Sequence, residues 1–217
     1  MPEKPRRDSE LAASVIITTY NRCDALEETL RALDQQDLDP ASYEILVVDN
    51  GCRDATPEVL TRFRPRCGFV ALSVPENVGI SGARNLALAR ARGEFVIFVS
   101  DDLVVPPEFL RLHLETHRAF PGFWVVGGFR QLDSLTESPF GRYLDSLETS
   151  FEEARKSRPL QPQIWELSYP TARNLSMRRA DLEQIGVFDE QFRNACEDWD
   201  LAIRAQRALG TRFLYHE

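Results

Sequence analysis

Glu94-Phe95-Val96-Ile97-Phe98-Val99-Ser100-Asp101-Asp102 is an apolar run that stops abruptly on two adjacent carboxylates. A stretch this short, β-branched and aromatic reads as a strand buried on both faces. Acids at its carboxyl end belong at the rim of a sheet, where open α/β folds bind ligands. Paired carboxylates at a rim suit a hard divalent cation, and such a cation suits a diphosphate. The junction therefore points to chemistry on a nucleotide-like ligand.

Upstream, three more segments read as strands: residues 14–19 (SVIITT), 44–48 (EILVV) and 69–74. Helices fall between them. Residues 24–36 place Leu26, Leu30 and Leu33 on one face, with Asp24 and Glu27 spaced as a capping box. Thr56-Pro57 opens a second helix with proline at its tolerated first position. Residues 81–92 form a third, lined with alanine, before the strand at 94–99. This β-α alternation predicts an α/β fold around a mostly parallel, doubly wound sheet with helices on both faces.

The second half is less regular. Residues 107–120 read as a helix and 123–128 as a strand. Residues 140–151 carry an amphipathic stripe of Phe140, Tyr143, Leu144, Leu147 and Phe151, which suits core packing or an acceptor groove. Residues 157–163 hold two prolines and read as a loop, 180–185 and 197–209 as helices, and 211–215 as a final strand. Residues 1–11 read as a flexible tail and 12–217 as one domain. The final strand ends where the chain ends, so the expectation is a longer protein that continues past residue 217.

The net charge of −8 over 217 residues gives no electrostatic footprint for nucleic acid. The clusters Arg62, Arg64, Arg66 and Arg178, Arg179 read as solvated surface. No run has the length of a transmembrane helix, so a cytoplasmic location, or one peripheral to a membrane, is expected. The four cysteines make no CxxC pair and no disulfide framework. His113 and His117 share a helix face, but His-Leu-Glu-Thr-His is not HExxH; a solvated face is the better reading than zinc.

Each of the first four strands runs into polar residues: Thr18, Thr19, Tyr20 and Asn21; Asp49-Asn50-Gly51; Asn77-Val78-Gly79 with Arg84 and Asn85; and Ser100-Asp101-Asp102. Singly these mean turns. In a parallel sheet all four ends face one rim. GxGxxG does not follow the first strand, which disfavours a Rossmann NAD site, and GxxxxGK[ST] does not occur, which excludes a P-loop. If a diphosphate binds here, a metal held by carboxylates must offset much of its charge, with Arg84 as a guanidinium partner or an ordinary surface arginine. A second acid cluster, Glu197, Asp198 and Asp200, follows Asn194, a candidate helix cap. First-turn acids complement the helix dipole; alternatively one is a general base. Trp199 beside them either stacks on a sugar or fills core.

These segments, taken in order, resemble the family 2 glycosyltransferases, which have a GT-A fold. Residues 15–22 (VIITTYNR) are similar to the family's opening strand and loop, and 45–56 (ILVVDNGCRDAT) to its "VVDNGSTDGT" segment. Residues 77–85 (NVGISGARN) resemble "NxGxxxARN", and 197–204 (EDWDLAIR) resemble the "EDxDLxxR" helix. Residues 172–179 and 186–190 also fit. The resemblance covers residues 12–215, with 12–105 as nucleotide-binding half and 106–217 as acceptor half.

The resemblance implies transfer of a sugar, with inversion, from a UDP-, GDP- or dTDP-linked donor. The acceptor would be a glycan, a lipid-linked or a small-molecule hydroxyl. Thr18, Tyr20 and Asp49 would contact the nucleobase and ribose; Asn77, Gly79 and Arg84 would lie near the nucleotide. Asp101 and Asp102 would hold Mg²⁺ or Mn²⁺. Asp198 would be the base, with Glu197 as a substitute, and Asn174 would lie near the donor sugar or acceptor. Two positions depart from the pattern. Ser100 stands where many relatives carry aspartate, and the late histidine of many relatives has only His216, which falls early. A nucleotide-sugar-binding domain without catalysis is the alternative. A nucleotidyltransferase is disfavoured, because the loop after the first strand is Thr-Tyr-Asn-Arg-Cys-Asp and not basic and glycine-rich.

Overall fold

Four apolar strands alternating with three helices build the first half: β1 (Ala13–Thr19), α1 (Cys23–Asp34), β2 (Tyr43–Asn50), α2 (Thr56–Arg62), β3 (Gly68–Val74), α3 (Gly79–Leu88) and β4 (Phe95–Val99). The second half adds β5 (Leu103–Val104), α4 (Phe109–Ala119), β6 (Phe123–Gly127), β7 (Arg130–Gln131), α5 (Pro139–Arg155), β8 (Lys156–Gln161), β9 (Ile164–Leu167), β10 (Asn174–Arg178), α6 (Arg179–Ile185), α7 (Glu197–Leu209) and β11 (Arg212–His216). The computed structural model describes residues 11–128, 130–131 and 138–217. The expected tail lies outside the described residues, apart from Leu11, as do the side chains of Phe140, Leu144 and Leu147.

The strands join in one nine-stranded sheet of order β3-β2-β1-β4-β10-β6-β11-β9-β8, with β5 and β7 forming a separate ribbon. The pairings β1–β2, β2–β3, β1–β4 and β6–β11 are parallel. β10 runs antiparallel to both β4 and β6, and β9 antiparallel to both β11 and β8. The sheet is thus mostly parallel but mixed, with a reversed strand near its centre. Side chains alternate across it. Val15, Ile17, Ile45, Val47 and Ile97 pack under α1, α2 and α4, while Ile16, Leu46, Val48, Val96 and Phe98 pack under α3, α6 and α7. Leu26, Leu30 and Leu33 are fully buried, as the α1 pattern requires.

Four local expectations are corrected. The capping box at α1 does not form: Arg22 is the N-cap, the Cys23 amide donates to Asp54 at 2.9 Å, and Glu27 pairs with Arg31 and Arg62. Residues 157–163, read as a loop, lie mostly in β8, where Pro159 is tolerated because the strand is at the sheet edge. Asn194 does not cap α7; Cys196 does, with φ +68°. Tyr143 and Phe151 are exposed, so that part of the amphipathic stripe is not core. Among the described residues no helix is long and apolar enough to cross a membrane.

Candidate active site

The carboxyl ends of β1, β2 and β4 open into a cleft of about 290 Å³, with Thr18, Tyr20, Arg22, Asn77, Asp101 and Arg193 in its walls. Backbone geometry builds it. Asn21 adopts φ +55° and turns the chain out of β1, while its side chain accepts from the Arg53 amide at 2.7 Å. Asp49 accepts from the Cys52 amide at 2.8 Å and the Ser73 hydroxyl at 2.7 Å, fixing the turn after β2. Gly51, at φ +80°, is required there, because a Cβ would come within 2.7 Å of the Glu76 backbone. Asn50 clamps the next loop: its amide donates to Asn77 and to the Gly79 carbonyl, and its oxygen accepts from the Val78 amide at 2.9 Å.

Asp101 and Asp102 are buried at the end of β4. One nitrogen of Arg22, Nη1, lies 3.0 Å from Asp101 Oδ1 and 2.9 Å from Asp102 Oδ2. Arg173 approaches the other oxygen of Asp102 at 3.5 Å. Burial pushes the Asp101 carboxyl above its ordinary range, against the pull of Arg22. Because both carboxylates reach one nitrogen, their oxygens converge on a single point. That donor set fits Mg²⁺ or Mn²⁺, which binds through one or two carboxylates and completes its shell with phosphate oxygens and water. Among the described residues no group of three or more His, Cys, Asp or Glu forms a metal cage. His216 is not placed with these acids; it bonds Thr116 at 2.7 Å and lines a separate hollow of about 140 Å³.

The second acid cluster is tied to the first through one dipeptide. Asp198 Oδ2 accepts from the Ala172 amide at 3.2 Å, while the next residue, Arg173, pairs with Asp102 and accepts from the Ser100 amide at 2.8 Å. Burial pushes Asp198 up, and Glu197 adds to the rise. Glu197 itself is committed elsewhere. It receives Arg84 Nη1 at 2.7 Å, with both side chains only 7% exposed. The Arg84 guanidinium lies 5.5 Å from the Phe98 ring and 5.2 Å from the Phe188 ring, and donates to the Ala172 carbonyl at 3.2 Å.

The structure thus brings Thr18, Tyr20, Asn77 and Asp101 into one cleft, with Asp102 behind and Asp198 one residue away along the Ala172–Arg173 segment. Three expected site residues are placed differently. Arg84 and Glu197 face each other, and neither lines the cleft. Asn174 is fully buried, donating to the Gly128 carbonyl at 3.0 Å and accepting from His113 Nε2 at 2.9 Å. His113 and His117 are buried, not solvated: their ring nitrogens meet the Ser176 hydroxyl at 2.7 and 2.8 Å. With Asn174 accepting from Nε2, His113 Nδ1 accepts from Ser176, whose oxygen then accepts from His117. Trp199 is 49% exposed and packs edge-on against Tyr169, so it is not core filling. Arg193, which lines the cleft, and Arg173, which reaches Asp102, build the site without a sequence signal that assigns them to it; Asn50 belongs to the rim set that the strand ends define. Arg22 was quoted within a motif, but its reach across to β4 lies 79 residues away in sequence.

Comparisons with known proteins agree with this architecture. The family described as Glycosyl transferase family 2 matches residues 14–189. The uncharacterized glycosyltransferase YfnE of Bacillus subtilis (strain 168) is 29% identical, over 91% of this chain and 61% of its own length. The poly(ribitol-phosphate) beta-N-acetylglucosaminyltransferase TarS of Staphylococcus aureus is 35% identical, over 45% of this chain and 17% of its own. The S. aureus TarS crystal structure superposes with TM-score 0.70 at 21% identity, covering 94% of this chain and 36% of that one. The mannosyltransferase PcManGT from Pyrobaculum calidifontis, in complex with GDP-Man and Mn²⁺, superposes with TM-score 0.67 at 21% identity, covering 95% and 57%. With the family match spanning most of its length and GT-A enzymes superposing on its mixed sheet, this chain belongs to glycosyltransferase family 2 and has the GT-A fold.

Proposed function

We propose that the chain carries the donor and base sites of an inverting glycosyltransferase, which moves a sugar from a nucleotide diphosphate to an acceptor hydroxyl. The observation that carries this reading is the Ala172–Arg173 segment, which links a desolvated carboxylate, Asp198, to the carboxylate pair at the end of β4. Such a pairing suits a reaction in which one acid takes a proton while others face a departing diphosphate. Solved relatives support the donor class: TarS has been crystallised with UDP-GlcNAc and PcManGT with GDP-Man and Mn²⁺.

Thr18, Tyr20 and Asn77 would position the nucleotide at the ends of β1 and β3, and Asp49 would brace the turn beneath it. Asp102 and Asp101 would hold Mg²⁺ or Mn²⁺, which when bound supplies Lewis-acid stabilisation of the leaving group. Asp198, with its pKa raised by burial, would accept the acceptor's hydroxyl proton as the acceptor oxygen attacks the anomeric carbon from the opposite face. One displacement inverts the configuration. Activity then falls as pH drops through the raised pKa of Asp198.

Asp198→Asn tests the reading. Transfer should drop about 10²–10⁴-fold while nucleotide binding, followed by thermal shift with Mn²⁺, is retained. A second reading, nucleotide-sugar binding without catalysis, is favoured by the engagement of both cleft carboxylates with Arg22; under it no transfer is detected in either protein. Product with retained anomeric configuration by NMR would remove Asp198 from the role.

A further inference from the structure

We propose that Arg22 is an internal counter-cation of the Asp101–Asp102 site, exchanging with the divalent ion and passing its guanidinium to the donor's diphosphate. The proposal rests on the donor-site reading above. A single Arg22 nitrogen contacts one oxygen of each carboxylate, at 3.0 and 2.9 Å. A cation bridging the same two oxygens fills the space that this nitrogen fills, so the two are alternative partners. The partition of exposure suits exchange: the Arg22 side chain is 46% exposed, against 8% and 10% for Asp101 and Asp102. The acids are fixed in the sheet, whereas the arginine hangs from the loop before α1 and forms a wall of the cleft. A half-exposed ion pair is readily given up.

Charge makes the exchange productive. Two buried carboxylates need positive charge beside them, and Arg173 approaches Asp102 at 3.5 Å. Arg22 supplies positive charge to both acids in the free protein. When a divalent ion takes over that duty, the released guanidinium lies at the same mouth as the incoming diphosphate, whose oxygens it suits as a fork of donors. Arg22 would thus hold the metal site closed to metal alone and add to affinity for metal with diphosphate.

Mn²⁺ titrations followed by the EPR signal of the free ion, without nucleotide, test this on the wild type, Arg22→Gln and Asp102→Asn. If Arg22 holds the site nine-tenths of the time, Arg22→Gln binds Mn²⁺ about tenfold tighter. The same variant should bind UDP in saturating Mn²⁺ more weakly than the wild type. Equal or weaker Mn²⁺ binding by Arg22→Gln, with its melting transition intact, overturns the exchange. Unchanged UDP affinity overturns the hand-over to diphosphate. Asp102→Asn separates the two levels: if it binds Mn²⁺ as well as the wild type, the metal-site reading itself fails.

Discussion

Arg84 sits between the rings of Phe98 and Phe188 with its charge directed at Glu197, and its surroundings decide what it can do. Burial pulls its pKa below the ordinary value, against Glu197. Its partner therefore cannot be removed without leaving an uncompensated charge in the protein interior. Glu197→Gln should destabilise the fold by about 3–5 kcal/mol in urea denaturation, and Arg84→Met together with Glu197→Met should recover much of that loss. A ligand role for Arg84 predicts the reverse pattern, with weakened nucleotide binding and little change in stability. The letters of a motif place such a residue in the chain, but not the direction of its side chain. Arg84 and Glu197 are 113 residues apart, and only the packing of α3 against α7 shows that they answer each other.

At the scale of elements, the start of α3 is a close-packed junction of the cleft. Gly79 has φ +83°, and a Cβ there would meet Arg193 at 3.0 Å while the Ile80 amide donates to the Arg193 carbonyl at 2.9 Å. Gly79→Ala should therefore cost about 1–3 kcal/mol, lowering Tm by roughly 2–4 °C per kcal/mol and loosening the cleft wall. A thermal melt identical to wild type would contradict this account of the loop. The first four strands were legible because each is a run of β-branched and aromatic residues ending in polar ones. β10 carries no such run, since Asn174 and Ser176 alternate with Leu175 and Met177, and its alternation would suit one exposed face. Both polar residues are nevertheless fully buried, because α4 delivers His113 and His117 as their partners. The cleft was legible as a set of loops on one rim; the arginines that organise it were not, because Arg22 and Arg173 contact acids, and Arg193 the Asn77 carbonyl, across long stretches of sequence.

For the whole molecule, the buried histidines set a pH dependence. Burial lowers His113 to about 4 and His117 to about 3, from 6.5. The unfolded chain therefore binds protons that the folded chain refuses. Stability from this source is complete above pH 6.5 and is lost as pH falls toward the folded values. Between pH 7 and pH 5 His113 alone should account for about 2 kcal/mol, measured by denaturant titration at each pH. Asp101 and Asp198, with raised pKa values, act in the opposite sense at the acid end. A stability flat from pH 7 to pH 5 would contradict the burial of this network. The strand those histidines support also has a place in time. β10 closes the sheet between β4 and β6, yet it is among the later strands to leave the ribosome. Until residue 178 has emerged, β4 has only one neighbour and β6 lacks both of its own, so two apolar ladders wait open in the nascent chain. The order of synthesis thus runs against the order of the sheet: the edge of β4 stays open until β10 is made, and one edge of β6 until β11 is made.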